Sequence, residues 1–134
     1  MDPRRTEPAW LTRVVVDAIH TDQIREHGGL LGLRDENGLE SALARPRHKW
    51  LYDPLLDLAA LGAAYAFGLA RSHPYNDGNK RVALVAMLTW LAINGQDIGA
   101  EEDDLLTTIL ALAAGRLTEP QLADWLRLRM IPLR

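Results

Sequence analysis

No cysteine occurs among the 134 residues. A disulfide, a thiolate zinc site and a cysteine nucleophile are therefore excluded. That absence suits the cytosol, where thiols stay reduced, and a cytoplasmic protein is expected. No apolar run is long enough for a membrane. Two long apolar stretches without charge, residues 58–70 and 82–93, fall well short of the roughly 20 residues a span requires. No secretory leader is legible, because Met1-Asp2-Pro3-Arg4-Arg5 runs into Thr6-Glu7-Pro8 and not into an apolar segment. Strand-period runs, internal repeats and low-complexity segments are missing too. So are a Gly-x-Ser-x-Gly elbow and a Walker-type phosphate loop, which leaves serine-nucleophile and P-loop chemistry without support. Excess positive charge is also absent. The net charge is −3 and the pI about 5.8, so no direct nucleic-acid partner is expected.

What remains is ordinary globular material, 48% hydrophobic and 25% charged. The length suits a single domain spanning residues 1–134, with residues 1–8 fraying. From Trp10 to Glu26, apolar residues at 11, 14, 15, 18 and 19 form a helical stripe closed by Gly28-Gly29. Residues 30–33 are short and apolar between glycines, which fits either a small extended flap or a plain loop. Residues 39–44 read as a short helix stopped before Pro46. Arg47-His48-Lys49 reads as a solvated basic loop. Asp53-Pro54 reads as an N-cap with proline at the first helical position. The helix it opens runs to about Ser72, with many small residues that allow close packing. A second apolar helix ends at Asn94-Gly95. Residues 101–114 make an acidic-started helix closed by Gly115. Thr118-Glu119-Pro120-Gln121 is a capping box opening a last helix to about Arg129. The expected fold is all-α, a compact single-domain bundle of about six helices, with room for a short flap. Trp10, Trp50, Trp90 and Trp125 are core or interface anchors. His20, His27 and His48 share no metal spacing and read as ordinary surface or core residues, with a minor role left open for His27 beside the flap segment.

The densest chemistry lies in His73-Pro74-Tyr75-Asn76-Asp77-Gly78-Asn79-Lys80-Arg81. Pro74, Asn76, Asp77 and Gly78 favour a loop. A helix then starts near Asn79, and its first N–H groups lack intrahelical partners. Those donors and the positive end of the helix dipole form an anion site. Lys80 and Arg81 add two charges there, Arg81 as a fork for phosphate oxygens and Lys80 as a point charge. Asp77 is a hard oxygen ligand suited to Mg²⁺. Histidine titrates near neutrality, so His73 can take a proton from an attacking hydroxyl. Asn79 can donate to charge developing on a phosphoryl group. Arg71, at the end of the preceding helix, is a further candidate, though its pairing with the helix dipole would also explain it. Taken singly each residue has a structural explanation. Taken together they point to transfer of a phosphate-containing group.

This stretch resembles the signature of the Fic/Doc superfamily, His-Pro-Phe-x-Asp/Glu-Gly-Asn-Gly/Lys-Arg, with Tyr75 in place of Phe. Lys80 is similar to the Doc (death-on-curing) branch, the toxin half of toxin–antitoxin pairs, while Gly78 is closer to the general Fic pattern. The likeness extends over His27-Gly28-Gly29-Leu30, Gly32-Leu33-Arg34-Asp35, Leu39-Glu40-Ser41-Ala42-Leu43-Ala44-Arg45-Pro46, Arg71 and Asn94-Gly95. It covers about residues 14–118.

The resemblance implies ATP as substrate and Mg²⁺ as the metal. It implies His73 as general base, Asp77 as metal ligand, and Asn79, Lys80 and Arg81 on the nucleotide phosphates. Gly78 would let the backbone come close, with Asn76 and Arg71 near the nucleotide. Residues 28–33 would be the flap that holds the target's backbone. In the Doc branch the γ-phosphate goes to a threonine of elongation factor Tu, blocking translation. In Fic proteins AMP goes to a hydroxyl instead. Lys80 favours phosphate transfer; Gly78 and Pro74 keep AMP transfer open. A third reading is an inactive regulatory module, against which the intact His73, Asp77, Asn79 and Arg81 stand. The self-inhibitory pattern Ser/Thr-x-x-x-Glu-Gly/Asn is absent. The resemblance therefore implies an antitoxin protein that binds through a helix-forming segment.

Overall fold

A computed structural model describes residues 6–134. Six helices run in order: α1 Arg13–His27, α2 Glu36–Tyr52, α3 Leu58–Ser72, α4 Asn79–Ile93, α5 Glu102–Ala113 and α6 Glu119–Arg127. Two three-residue strands, β1 Gln96–Ile98 and β2 Met130–Pro132, pair antiparallel with Asp97 opposite Ile131. The all-helical bundle expected from the sequence is the fold. The small sheet was not expected, because three residues are too few to show a period of two.

Helix α3 is the axis. It packs against α2, α4, α5 and α6, and its residues 61–66 are all buried. Small side chains make this possible. A Cβ at Gly62 would lie 3.2 Å from Leu91 of α4, and one at Gly68 would lie 3.2 Å from the Cα of Ala42 in α2. Aromatic rings close the end of the bundle away from the α3–α4 loop. Trp10 stacks on Trp90 at 5.9 Å and meets Trp50 edge-on at 6.3 Å. The Trp90 ring N–H donates to Ala9 O at 2.7 Å, and Tyr65 OH accepts from Leu11 N at 3.1 Å.

Several boundaries depart from expectation. Residues 1–5 of the segment expected to fray lie outside the described residues. Glu7 is held, accepting from Trp10 Nε1 at 2.7 Å and Arg47 Nε at 3.1 Å. Pro46 does not stop α2; it is buried inside it. Proline forfeits one helical bond, but Leu39, Ala42, Pro46 and Trp50 are all buried along one face, and that packing carries the helix through. The basic triplet 47–49 is therefore helical, not a loop. Asp53 does not open α3. It ends α2 and accepts from Leu55 N at 3.1 Å in a turn. Asp57 is the cap instead, accepting from Ala60 N at 2.9 Å. The stripe read on α1 is also displaced. Val14 is 77% exposed, and the buried residues are Val16, His20 and Ile24. By contrast the Thr118/Gln121 capping box forms as read.

The buried carboxylate of Glu119 ties α6 to α2, with Arg45 and Lys49 each at 2.6 Å. Burial alone would raise its pKa, but the two cations outweigh this and hold it below the ordinary 4.5. Glu119→Ala should cost about 2 kcal/mol, less than for a fully buried pair because the cations are partly hydrated. Urea unfolding at neutral pH measures it. Because the folded value is the depressed one, the Glu119 contribution is whole above about pH 4.5 and is lost as pH falls through the folded value. The stability gap between wild type and Glu119→Gln should therefore narrow below that pH.

Candidate functional site

The loop between α3 and α4 is built almost wholly by contacts from outside itself. Helix α3 ends at His73, whose φ of 48° is the one positive value outside glycine among the described residues. A non-glycine residue there stores on the order of 1 kcal/mol of strain. Arg34 holds it in place, its guanidinium donating to His73 O at 2.6 and 3.0 Å and to Ser72 O at 3.3 Å. The Arg34 and Asp35 amides both donate to Pro74 O. Arg34 thus caps the carbonyl end of α3, a function the sequence reading did not assign.

Asn79 closes the loop from the other side. Its Oδ1 accepts from Tyr75 N and its Nδ2 donates to Tyr75 O, both at 2.9 Å. One Nδ2 hydrogen and the Oδ1 thus hold the loop backbone, and Nδ2 keeps a second donor. Gly78 precedes α4 with φ 79°. A Cβ there would lie 3.2 Å from Ile24 of α1, so both conformation and space call for glycine.

Residues 28–33 lie along the loop as an extended segment. Leu33 forms an isolated antiparallel bridge with Tyr75. Asn76 N donates to Gly32 O at 3.0 Å and Asn76 Nδ2 to Leu31 O at 3.1 Å. Leu30 N donates to Asp77 Oδ2 at 2.7 Å. The segment is thus ordered against the loop, and Asn76 donates to it from both its main chain and its side chain.

Beneath the loop lies α1. His20, only 3% exposed, donates from Nε2 to Asp77 O at 2.9 Å, since a carbonyl can only accept. Its ring stacks on Tyr75 at 3.8 Å and 8°. The Tyr75 hydroxyl donates to Asp17 Oδ1 at 2.7 Å. Burial first, then the neighbouring Asp17, pushes the hydroxyl's pKa up, so it stays a donor. Asp17 is held in turn by Arg13 at 3.0 Å. His20 was read as an ordinary histidine, and no spacing signal marks it. Its partners are 55 and more positions away.

Above the loop opens a cavity of about 730 Å³ between α1 and α5, at the amino end of α4. His73, Asn76, Asp77, Gly78, Asn79, Lys80 and Arg81 all line it. Asp77 is the single carboxylate in the lining, and its Oδ1 has no partner among the described residues. No group of three or more acidic or histidine ligands exists among them. A lone carboxylate suits Mg²⁺ that arrives with substrate phosphates and keeps its waters. The His73 ring is exposed, and Arg81 Nη1 lies 3.5 Å from His27 Nε2. His27 is thus at the rim, not merely on the surface. Leu106 and Leu110 of α5 give the far wall an apolar character. Arg71 is not brought in. Its guanidinium lies 5.8 Å from the Phe67 ring centroid, on another face. An exposed histidine, a carboxylate and two cations at an open helix amino end are chemically suited to a phosphate-containing group.

The family model described as Fic/DOC matches residues 10–91. The chain is similar to Protein kinase doc of Escherichia phage P1, with 33% identity over 110 residues, 82% of this chain and 86% of that protein. It is also similar to Toxin Doc of Mycolicibacterium smegmatis, with 42% identity over 80 residues, 57% of this chain and 59% of that protein.

Tyr75→Phe should keep the stack on His20 and lose the bond to Asp17. Asp17 is part-exposed and keeps Arg13, so the loss should be about 1 kcal/mol. Thermal unfolding should show it as a drop of about 4 °C.

Proposed function

The chain belongs to the Fic/DOC family, and on that footing we propose that it is a Doc-type toxin that transfers the γ-phosphate of ATP to a hydroxyl of elongation factor Tu. The observation that carries this reading is one cavity lined by His73, Asp77, Lys80 and Arg81 around the open amino end of α4. His73 takes the proton of the target hydroxyl as its oxygen bonds to the γ-phosphorus. The bond from that phosphorus to the β-phosphate oxygen breaks, and ADP leaves. Lys80, Arg81 and the free N–H groups of α4 hold the phosphates and the charge on the leaving group. Asp77 would hold Mg²⁺, which would supply charge neutralisation at the transferring group. Gly78 lets the backbone approach, and the ordered flap at residues 28–33 holds the target chain beside His73.

Lys80 is the residue that favours phosphate over AMP transfer. A lysine charge beside Arg81 gives the site a second grip on the far end of the triphosphate. AMP transfer is the second reading, favoured by the Fic-like Gly78 and Pro74. The partner that silences the activity is an antitoxin, binding through a segment that folds as a helix. The target makes the cytoplasm the place of action.

Elongation factor Tu incubated with the protein, ATP and Mg²⁺ should gain the mass of one phosphate, read by intact-protein mass spectrometry. His73→Ala should abolish the gain. A gain of one AMP would establish the second reading, and no gain with nucleotide still bound would refute the target. Lys80→Gly should weaken phosphate transfer at least tenfold, about 1.4 kcal/mol in the barrier. An unchanged rate and product would remove Lys80 from the argument.

A further inference from the structure

Three side chains on one face of α1 reach the motif loop. Asp17 takes the Tyr75 hydroxyl, His20 takes Asp77 O and stacks on Tyr75, and Ile24 closes against Gly29 and Gly78. Of these, His20 is the one that a packing account leaves unexplained. A buried imidazole costs free energy unless its nitrogens are used, and a phenyl or leucyl group would fill the same space. Its bond goes to the main chain of the one residue whose side chain is the single carboxylate of the cavity. That carboxylate is held separately, through Oδ2, by Leu30 N of the flap. Asp77 is therefore fixed at both ends, by α1 beneath and by the flap above. Oδ2 takes that bond from the flap, and Asp77 lines the cavity.

We infer that His20 is a positioning residue for the metal-binding carboxylate: through the Asp77 carbonyl it sets the direction in which Asp77 presents its carboxylate. The inference rests on the reading of the cavity as a Mg²⁺–nucleotide site. Partners one step removed from a metal commonly change its affinity by about ten- to a hundredfold. Two substitutions separate positioning from packing. His20→Phe keeps an aromatic ring on Tyr75 and removes the donor. His20→Gln loses the ring and keeps an amide at the reach of Nε2.

The measurement is calorimetric binding of a non-hydrolysable ATP analogue to the full chain across a Mg²⁺ series, with thermal melting as the check on the fold. Affinity without metal should be unchanged in both variants, because Lys80, Arg81 and the α4 amides are untouched. His20→Phe should require about tenfold or more Mg²⁺ for half-saturation, and His20→Gln should stay within about threefold of wild type. If His20→Phe does not fold, His20→Asn, too short to reach the carbonyl, takes its place with the same expectation. Wild-type Mg²⁺ dependence in His20→Phe overturns the inference. So does an equal loss in both variants that follows their melting temperatures, which would mean packing alone. Absence of Mg²⁺-dependent binding in the wild type overturns the reading of the cavity itself, and the inference with it.

Discussion

The close packing of α3 and α4 sets everything around the site. Gly62 meeting Leu91 brings the two apolar helices together, so their facing ends lie a short loop apart. One end offers carbonyls and the other amides, and the chain treats them oppositely. Arg34 closes the carbonyl end. The amide end has no side-chain cap, since Gly78 stands at the position where Ser, Thr or Asp would be usual. The consequence is a helix terminus with its positive pole and free donors turned to the cavity, and two cations beside it.

Residues of the motif divide by what they face. His73, Lys80 and Arg81 send their side chains to the cavity or its rim. Asn79 and Asn76 line it too, and with Tyr75 they also bond to backbone, flap and α1. Asp77 does both, lining the cavity and accepting from Leu30 N of the flap. A loop with Pro74 and Gly78 has little shape of its own. It takes its form from the amide of Asn79, the guanidinium of Arg34 and the imidazole of His20, and this is why so many polar groups are needed for so few that are free to react.

That division also explains what could be read in the sequence. Signals carried by neighbours in the chain were legible: the Thr118/Gln121 box, the glycine caps at Gly28 and Gly95, the two apolar helices, and the nine-residue motif. Signals that depend on distant partners were not. Pro46 looks like a stop until Leu39, Ala42 and Trp50 are seen buried on its face. Asp53 and Asp57 are equally good caps by residue type, and contact with Arg127 at 2.6 Å belongs only to Asp57. The α1 stripe misled because the docked face carries Asp17 and His20, polar groups that meet a polar loop. Hydrophobic periodicity finds faces turned to oil, not faces turned to a site. Arg71 shows the converse: adjacency to His73 in the chain does not bring its side chain to the same side of α3.

The Glu119 lock has a bearing on time as well as stability. Helix α6 comes late in the chain, yet Leu122 and Leu126 are fully buried and α6 packs on α3, the frame of the whole loop. During synthesis the motif emerges from the ribosome some forty residues before the helix that completes its frame. At a few to twenty residues per second, the nascent chain spends seconds with its chemistry made and its geometry unassembled.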